Sequence, residues 1–444
     1  MDSFDHYPAG MAGGKYHLLE GAWVPVLGPF FGVGAEFRGS GNWLCPYAAP
    51  TWRTGAFSGQ LRVGAAGFPA GGGGHLDGVP FLQATLGHPT TREFQQQLRL
   101  FADGHLEVYY VDLPDGVHPT LTLLRDPDGV PAVSAAGAVP FERWCVFEYR
   151  TVLASAPTGA PAPAALCEAR VDGVDVLRSA GSDNCNRRYA LEVGAHFAFG
   201  NLASGDDPET VPNAVALAFD DVCTRADTAT PPAAPPPWAG PRRVTAHLPV
   251  APGEWAELGL VGAPTNWQAA ADLPAAWSVP LADPGYLVKP AGSRPMDAYT
   301  LGPFPRIDEA AGACAFVWTL ARPAPPPAPP PDELGSTNGW ATTYVRDGTG
   351  IQAYDRHRYF DPNFPELYPM PVQQARPELL TNAHLDGLTA GFGNNPADTG
   401  SGLSTLNDTC EYLHLAAEVW HRPGDAPPCP PTGGGQRWSV GWVG

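Results

Sequence analysis

The sequence is poor in charge and poorer in positive charge. Only 16% of its 444 residues are Asp, Glu, Lys or Arg, and 26 Lys and Arg face 45 Asp and Glu, a formal net charge of −19. A chain so acidic does not displace counterions from phosphates, so a nucleic-acid partner is excluded. No run of about 18 apolar residues occurs, so a membrane-spanning helix is not expected. The opening MDSFDHYPAGMAGG lacks the basic and apolar regions of a secretory signal, so synthesis in a cytoplasm is expected. The eight cysteines (Cys45, Cys145, Cys167, Cys185, Cys223, Cys314, Cys410 and Cys429) form no CxxC and have no zinc-ligand spacing. They read either as small buried hydrophobes, which their positions in strand-like runs favour, or as disulfides formed after lysis.

Catalytic signatures are equally scarce. No HExxH and no GxSxG occurs. Glu142 and Glu148 stand six residues apart, about 20 Å along one strand, too far for a carboxylate pair. Gly71 to Gly74 is followed by His75, Leu76 and Asp77, not by the Lys and Ser/Thr of a phosphate loop, so it reads as a flexible surface loop. Asp220 and Asp221 are adjacent carboxylates, but strand alternation sends neighbours to opposite faces, so a structural role outweighs a calcium site. Arg187 and Arg188, after Asn184-Cys185-Asn186, read as a solvated loop, available to pair with those aspartates. No catalytic, cofactor-binding or metal residue and no cofactor is expected.

What is present is punctuation and aromatic content. The chain has 52 Gly, 52 Pro and 13 Trp, with 44% hydrophobic residues, the composition of a turn-rich all-β protein with real cores. Arg143 to Val152 alternates, with Trp144, Val146 and Glu148 on one face and Cys145, Phe147 and Tyr149 on the other. Ala165 to Leu177 breaks at Asp172-Gly173, a hairpin turn signal, and Val215 to Cys223 supplies a third strand. Trp23 to Phe37 predicts a strand pair bent at Gly32 and Gly34. Gln60 to Val63 predicts a short strand, and Phe94 to Phe101 and His105 to Val111 a second hairpin about Asp103-Gly104. Further on, Arg243 to Leu248, Asp297 to Leu301, Cys314 to Leu320 and Tyr412 to Trp420 read as strands, with Cys314 to Leu320 central. Residues 228–241 (TATPPAAPPPWAGP) predict a semi-rigid polyproline spacer, and Pro323 to Pro331 a protruding loop. The expected organisation is all-β: a β-sandwich over 1–227, the linker 228–241, a second β-sandwich over 242–422, and a Gly/Pro-rich tail over 423–444 whose Trp438 and Trp442 dock on a neighbouring surface.

The order Trp144…Glu148, Val171-Asp172-Gly173-Val174, Phe219-Asp220-Asp221-Val222 resembles the concanavalin A-like (LamG-like) lectin/glucanase sandwich, in particular copies in phage virion proteins. The lead Ser3-Phe4-Asp5-His6-Tyr7 is of a kind seen in those phage domains. Asn266-Trp267-Gln268, Asp297-Ala298-Tyr299 and Thr381 to Gly391 are similar to a second β domain of phage structural proteins. The resemblance implies jelly-roll sandwiches with the three segments as consecutive antiparallel strands. It also implies a non-enzymatic virion protein, attached to capsid or tail and docked on other virion subunits. A homo-oligomer is the expectation, a trimer by analogy of fold. Release within a particle then explains a life outside the cell without a signal. The Glu-x-Asp-x-x-Glu run of the family's retaining glycosidases is missing, which demotes a hydrolase. A carbohydrate-binding receptor, meeting cell-surface glycan, is the alternative, with no residue assigned to it.

Overall fold

The structure, a computed structural model, describes residues 16–21, 23–29, 33–46, 53–85, 94–112, 120–154, 162–186, 196–204, 208–227, 235, 238–271, 286–289, 296–311, 313–323, 340–350, 352–358, 368–369, 372–373, 380–393 and 410–422. Arg187, Arg188, the Ser3 to Tyr7 lead, the proline run after Pro323 and the tail lie outside these.

Among the described residues the first half supplies fourteen strands: β1 (Tyr16–Glu20), β2 (Trp23–Leu27), β3 (Val33–Arg38), β4 (Asn42–Pro46), β5 (Thr54–Val63), β6 (Val79–Thr85), β7 (Phe94–Leu100), β8 (Leu106–Asp112), β9 (Thr120–Leu123), β10 (Trp144–Val152), β11 (Leu166–Val171), β12 (Val174–Ala180), β13 (His196–Asn201) and β14 (Ala216–Asp227). They form two antiparallel seven-stranded sheets, ordered β1-β4-β13-β6-β7-β8-β9 and β12-β11-β10-β5-β14-β3-β2. The two sheets share one apolar core. Phe57 of β5 sits against Phe147, Phe197, Phe199 and Phe219, drawn from both sheets. The alternation of β10 holds: Cys145, Phe147 and Tyr149 enter this core. Asp172 and Gly173 both adopt positive φ, 51° and 78°, as the tight hairpin between β11 and β12 requires.

Two sequence expectations change here. The third motif strand, β14, does not follow the β11–β12 hairpin in the sheet. Strand β5, ten residues long where only Gln60 to Val63 was expected, lies between β10 and β14 and pairs with both. Glu142 is not on β10 at all: it precedes the strand with φ 59°, and its carboxylate accepts the Ala65 N–H.

The second half adds β15 (Arg243–His247), β16 (Pro249–Ala256), β17 (Gly259–Val261), α1 (Asn266–Ala271), β18 (Tyr286–Lys289), β19 (Met296–Leu301), β20 (Cys314–Pro323), β21 (Trp340–Arg346), β22 (Gln352–Arg358), β23 (Tyr368–Pro369), β24 (Val372–Gln373), α2 (Asn382–Leu385), β25 (Thr389–Gly393) and β26 (Cys410–His421). One sheet runs β17-β18-β26-β20-β23, with β15 also on β26 and β24 also on β20; the other runs β16-β19-β25-β21-β22. Cys314 to Leu320 is indeed flanked on both sides, but the longest shared strand is β26, paired with β15, β18 and β20. Asn266-Trp267-Gln268 opens the helix α1. Its Asn266 Nδ2 donates to Asp297 Oδ2 at 2.6 Å, beside the Tyr299 hydroxyl at 2.6 Å, while Asp297 Oδ1 accepts the Leu258 N–H. Burial outweighs these bonds and raises the Asp297 carboxyl above its ordinary range.

Where it is described, the proline-rich segment lies against the first half. The Trp238 ring lies against two guanidinium groups of the first half, Arg150 at 4.1 Å and Arg170 at 4.4 Å. The Gly240 N–H donates to the buried Glu148 carboxylate at 2.8 Å. Asp221 does not alternate with Asp220. A bulge in β14 puts it at φ 51°, both carboxylates are buried, and Asp221 Oδ1 accepts the Val244 N–H at 2.7 Å. Val244, Ala239, Cys223 and Trp420 then pack together, with Arg242 over the Trp420 ring.

Cys145, Cys167, Cys185 and Cys223 are buried thiols, the first two pushed up to about 12 by burial. They are small apolar fillers of the core rather than reactive groups.

Two predictions follow from this packing. Trp238→Ala removes two cation–π contacts and opens the connection, at a cost of about 1–2 kcal/mol; urea unfolding with limited proteolysis measures it, and an unchanged cleavage pattern contradicts the docking. His247 is buried beside Phe304 and its pKa is lowered to about 4, chiefly by burial, with His421 adding to it. The unfolded chain binds this proton near pH 6.5 and the folded chain does not. Stability is therefore full above pH 6.5 and falls by about 3 kcal/mol between pH 6.5 and 4. Chemical denaturation across that window should show the loss, and His247→Gln should flatten it.

Candidate functional site

Strand β7 carries Gln95, Gln96, Gln97 and Arg99, all buried. Alternation splits them. Gln96 turns between the sheets, where its Oε1 accepts the Tyr149 hydroxyl and its Nε2 donates to the Asn184 carbonyl at 2.8 Å. Gln97 and Arg99 turn to the outer face of the sheet, where an exposed or apolar surface would be ordinary. There Gln97 Nε2 donates to Gln83 Oε1 of β6 at 2.8 Å, and Arg99 Nε donates to Gln97 Oε1 at 2.7 Å. On β8, Tyr109 lies 5.5 Å below the Arg99 guanidinium and donates its hydroxyl to Glu107. Burial, and then the Glu107 carboxylate, push the Tyr109 phenol well up, so it stays a protonated donor.

Two loops close over this row. Arg99 Nη1 donates to the His75 carbonyl at 2.6 Å and Nη2 to the Glu209 carbonyl at 2.8 Å. His75 Nε2 lies 2.7 Å from Glu209 Oε2, and its ring meets Tyr109 edge-on at 5.9 Å. His75 follows the glycine run. Gly71, Gly73 and Gly74 take positive φ with open space around them, and Gly74–Asp77 forms a 3-10 turn. The run expected to be a free surface loop is thus tethered, from one end, to a buried arginine.

The row brings together two amides, one guanidinium, a phenol, a carboxylate and an imidazole: groups that recognise hydroxyl and carbonyl oxygens, in the pattern of a polar binding face. None of these residues was assigned a role from the sequence. The signal was there in the QQQLR of β7, a strand with three consecutive glutamines and an arginine two positions on. The residues that were weighed fall elsewhere: Glu148 and Asp221 hold the connection between the two halves, Asp220 accepts the Asp221 N–H, and Glu142 holds a turn. Among the described residues no group of three or more His, Cys, Asp and Glu side chains is arranged to hold a metal ion.

A second, open groove of about 360 Å³ lies in the other half, between Glu254, Arg346, Asp347, Thr349 and Asp386. Arg346 pairs with Glu254 at 3.0 Å and Arg306 with Asp386 at 2.8 Å, so its charges are already engaged.

No protein-family model matches the sequence, and no curated protein matches it. Among solved structures, the chain is similar to alginate lyase vAL-1 from a Chlorella virus, at 14% identity and TM-score 0.29, over 46% of this chain and 89% of that one. It is similar to alginate lyase Aly36B at 10% identity and TM-score 0.30, over 51% and 96%. The CBM22-1–CBM22-2 tandem domain of Paenibacillus barcinonensis Xyn10C matches at 10% identity and TM-score 0.23, over 94% of each chain. One expectation is corrected by these matches. Enzymes stand among them, so the missing Glu-x-Asp-x-x-Glu run is no ground for calling this chain a non-enzyme; that run belongs to one hydrolytic chemistry only. Identities and scores this low assign no activity.

The guanidinium of Arg99 is the pin of the site. Arg99→Met strands the two loop carbonyls and should cost about 2–4 kcal/mol, with new protease cleavage between 64 and 78. Arg99→Lys should recover little, because an ammonium lacks the fork that spans both carbonyls. Full recovery by lysine in urea unfolding would contradict the bridging role.

Proposed function

We propose that the chain is a glycan-recognising β-sandwich protein carried on a phage particle, with the outer face of β6–β7–β8 as its binding face. The observation that carries the reading is the row Gln83, Gln97, Arg99 and Tyr109, polar groups gathered on a sheet face under loops rather than left bare. Amides offer donor and acceptor together, which suits the alternating hydroxyl and ring oxygens of a saccharide. The phenol adds an apolar plane with a polar tip, suited to a sugar face. The particle is supported by the sequence pattern around Trp144, Val171 to Val174 and Phe219 to Val222, similar to phage sandwich domains. The two sandwich domains, joined through Trp238, would present this face as one body attached to capsid or tail subunits.

A glycan array, followed by calorimetry on any hit, tests the recognition. Gln83→Leu and Gln97→Leu should each weaken a true ligand by about tenfold. Binding untouched by both moves the site off this face. Shortening of a bound glycan during the same incubation would make the face catalytic. Mass spectrometry of purified particles tests the setting: the chain should be present at fixed stoichiometry, and its absence from particles removes the phage assignment.

A further inference from the structure

The open groove of about 360 Å³ in the second half is built from three separate segments: Arg346 to Gly350 at the end of β21, the turn at Asp386 and Gly387, and Glu254 of β16. Arg346 and Thr389 are register partners across β21 and β25, so their side chains rise from one face of the sheet. The two turns are locked together. The Gly348 N–H donates to the His384 carbonyl at 2.9 Å, and a Cβ added at Gly348 would overlap the carbonyl oxygens of Asp386 and Ala383. Only glycine lets these backbones meet so closely. Thr381 and His384 cap α2 just before the second turn. In the first turn the buried Asp347 carboxylate accepts both the N–H and the hydroxyl of Thr349, at 2.9 and 2.7 Å. The groove is thus formed and open before any ligand arrives, and its volume lies at the small end of the roughly 300–1,000 Å³ of ligand sites.

The lining narrows the ligand. Every residue around the groove is polar or glycine, so an apolar molecule finds no surface to bury there. Arg346 is paired with Glu254 and Asp386 with Arg306, so a free ion gains only by displacing a partner. The same pairs keep most of their hydrogen-bonding capacity. A carboxylate offers about four acceptor positions and a guanidinium about five donors, and one ion pair uses few of either. Donors and acceptors set side by side suit sugar hydroxyls, each of which both gives and takes a bond. We propose that this groove is a second glycan-binding site, taking a neutral mono- or disaccharide, separate from the face on β6–β7–β8 and independent of it. Arg346 donates to the sugar oxygens, Glu254 and Asp386 accept from its hydroxyls, and the short reach of the groove selects a sugar end over the middle of a long chain.

The test is saturation-transfer NMR on the full chain, with glucose, galactose, mannose and N-acetylglucosamine as probes and glucuronate as the acidic counterpart. At least one neutral sugar should bind in the millimolar range. Glucuronate should bind about tenfold more weakly, because three carboxylates line the groove against one guanidinium. Arg346→Gln and Asp386→Asn, both at exposed positions, should each weaken the neutral sugar by about tenfold with the melting temperature nearly unchanged. Gln83→Leu and Gln97→Leu should leave this binding as it is. Sugar binding that survives both groove variants, or that falls with the Gln83 and Gln97 variants instead, overturns the second site and leaves the first reading standing. Transfer to none of the four neutral sugars, or equal transfer to all of them, overturns it as well.

Discussion

From His414 to His421 strand β26 is buried on both faces, and the two faces serve different cores. Leu415 and Ala417 enter the core of the second half with Val317 and Phe392, and Val419 packs beside Ala315 and Leu385. On the other side Ala416 joins the core of the first half, and Trp420 packs on Cys223 and Val244. A strand buried on both sides reads as a near-continuous apolar run, which is what Tyr412 to Trp420 is. The arrangement makes each half a wall of the other. Trp238, Glu148 and Asp221 then add specific bonds around that shared wall, so the connecting segment is held by the first half before the chain enters β15.

Local signals were legible in proportion to how local they are. The Asp172-Gly173 turn and the alternation of Trp144 to Val152 depend on neighbours in sequence, and both stand as read. Strand β5 was read too short because its buried positions include Ser58 and Gly59, residues that look like surface until two flanking strands bury them. Asp221 was misread because strand alternation was assumed through a bulge; a left-handed aspartate needs the Val244 N–H, twenty-three residues on, to explain it. The Asn266 helix was hidden by its shortness. Its reason for forming lies in a partner thirty-one residues away, the carboxylate of Asp297.

The polar face of β7 was missed for a related reason. Periodicity separates inside from outside, and it presumes that the outside is wet. Here the outside of a sheet is covered as well, so Gln97 and Arg99 are as buried as Leu98 and Leu100. Burying a guanidinium costs several kcal/mol unless its donors are met. Arg99 meets them with two loop carbonyls and an amide, a choice of partners that turns a solvation requirement into a tether for the chain above it. Buried polar networks of this kind fix one arrangement of the groups they join, because any other leaves donors unmet.

The tether also sets a limit on affinity. A ligand on this face competes with bonds the protein already makes to itself, and the apparent affinity falls by the fraction of molecules in which the loops are lifted. The glycine run softens that cost from one side only. Gly71, Gly73 and Gly74 are free to turn, while His75 is held by Arg99 from below and by Glu209 alongside. Opening therefore hinges at the glycines and breaks at His75, and the energy to be overcome is concentrated in the Arg99 and Glu209 contacts. Binding through such a face would be weak per site. On a particle bearing many copies, weak sites engaged together hold by avidity, each further contact being made at high local concentration. A closed, modest site of this kind would hold firmly only where many copies engage together, which is the condition that the proposed particle setting would meet.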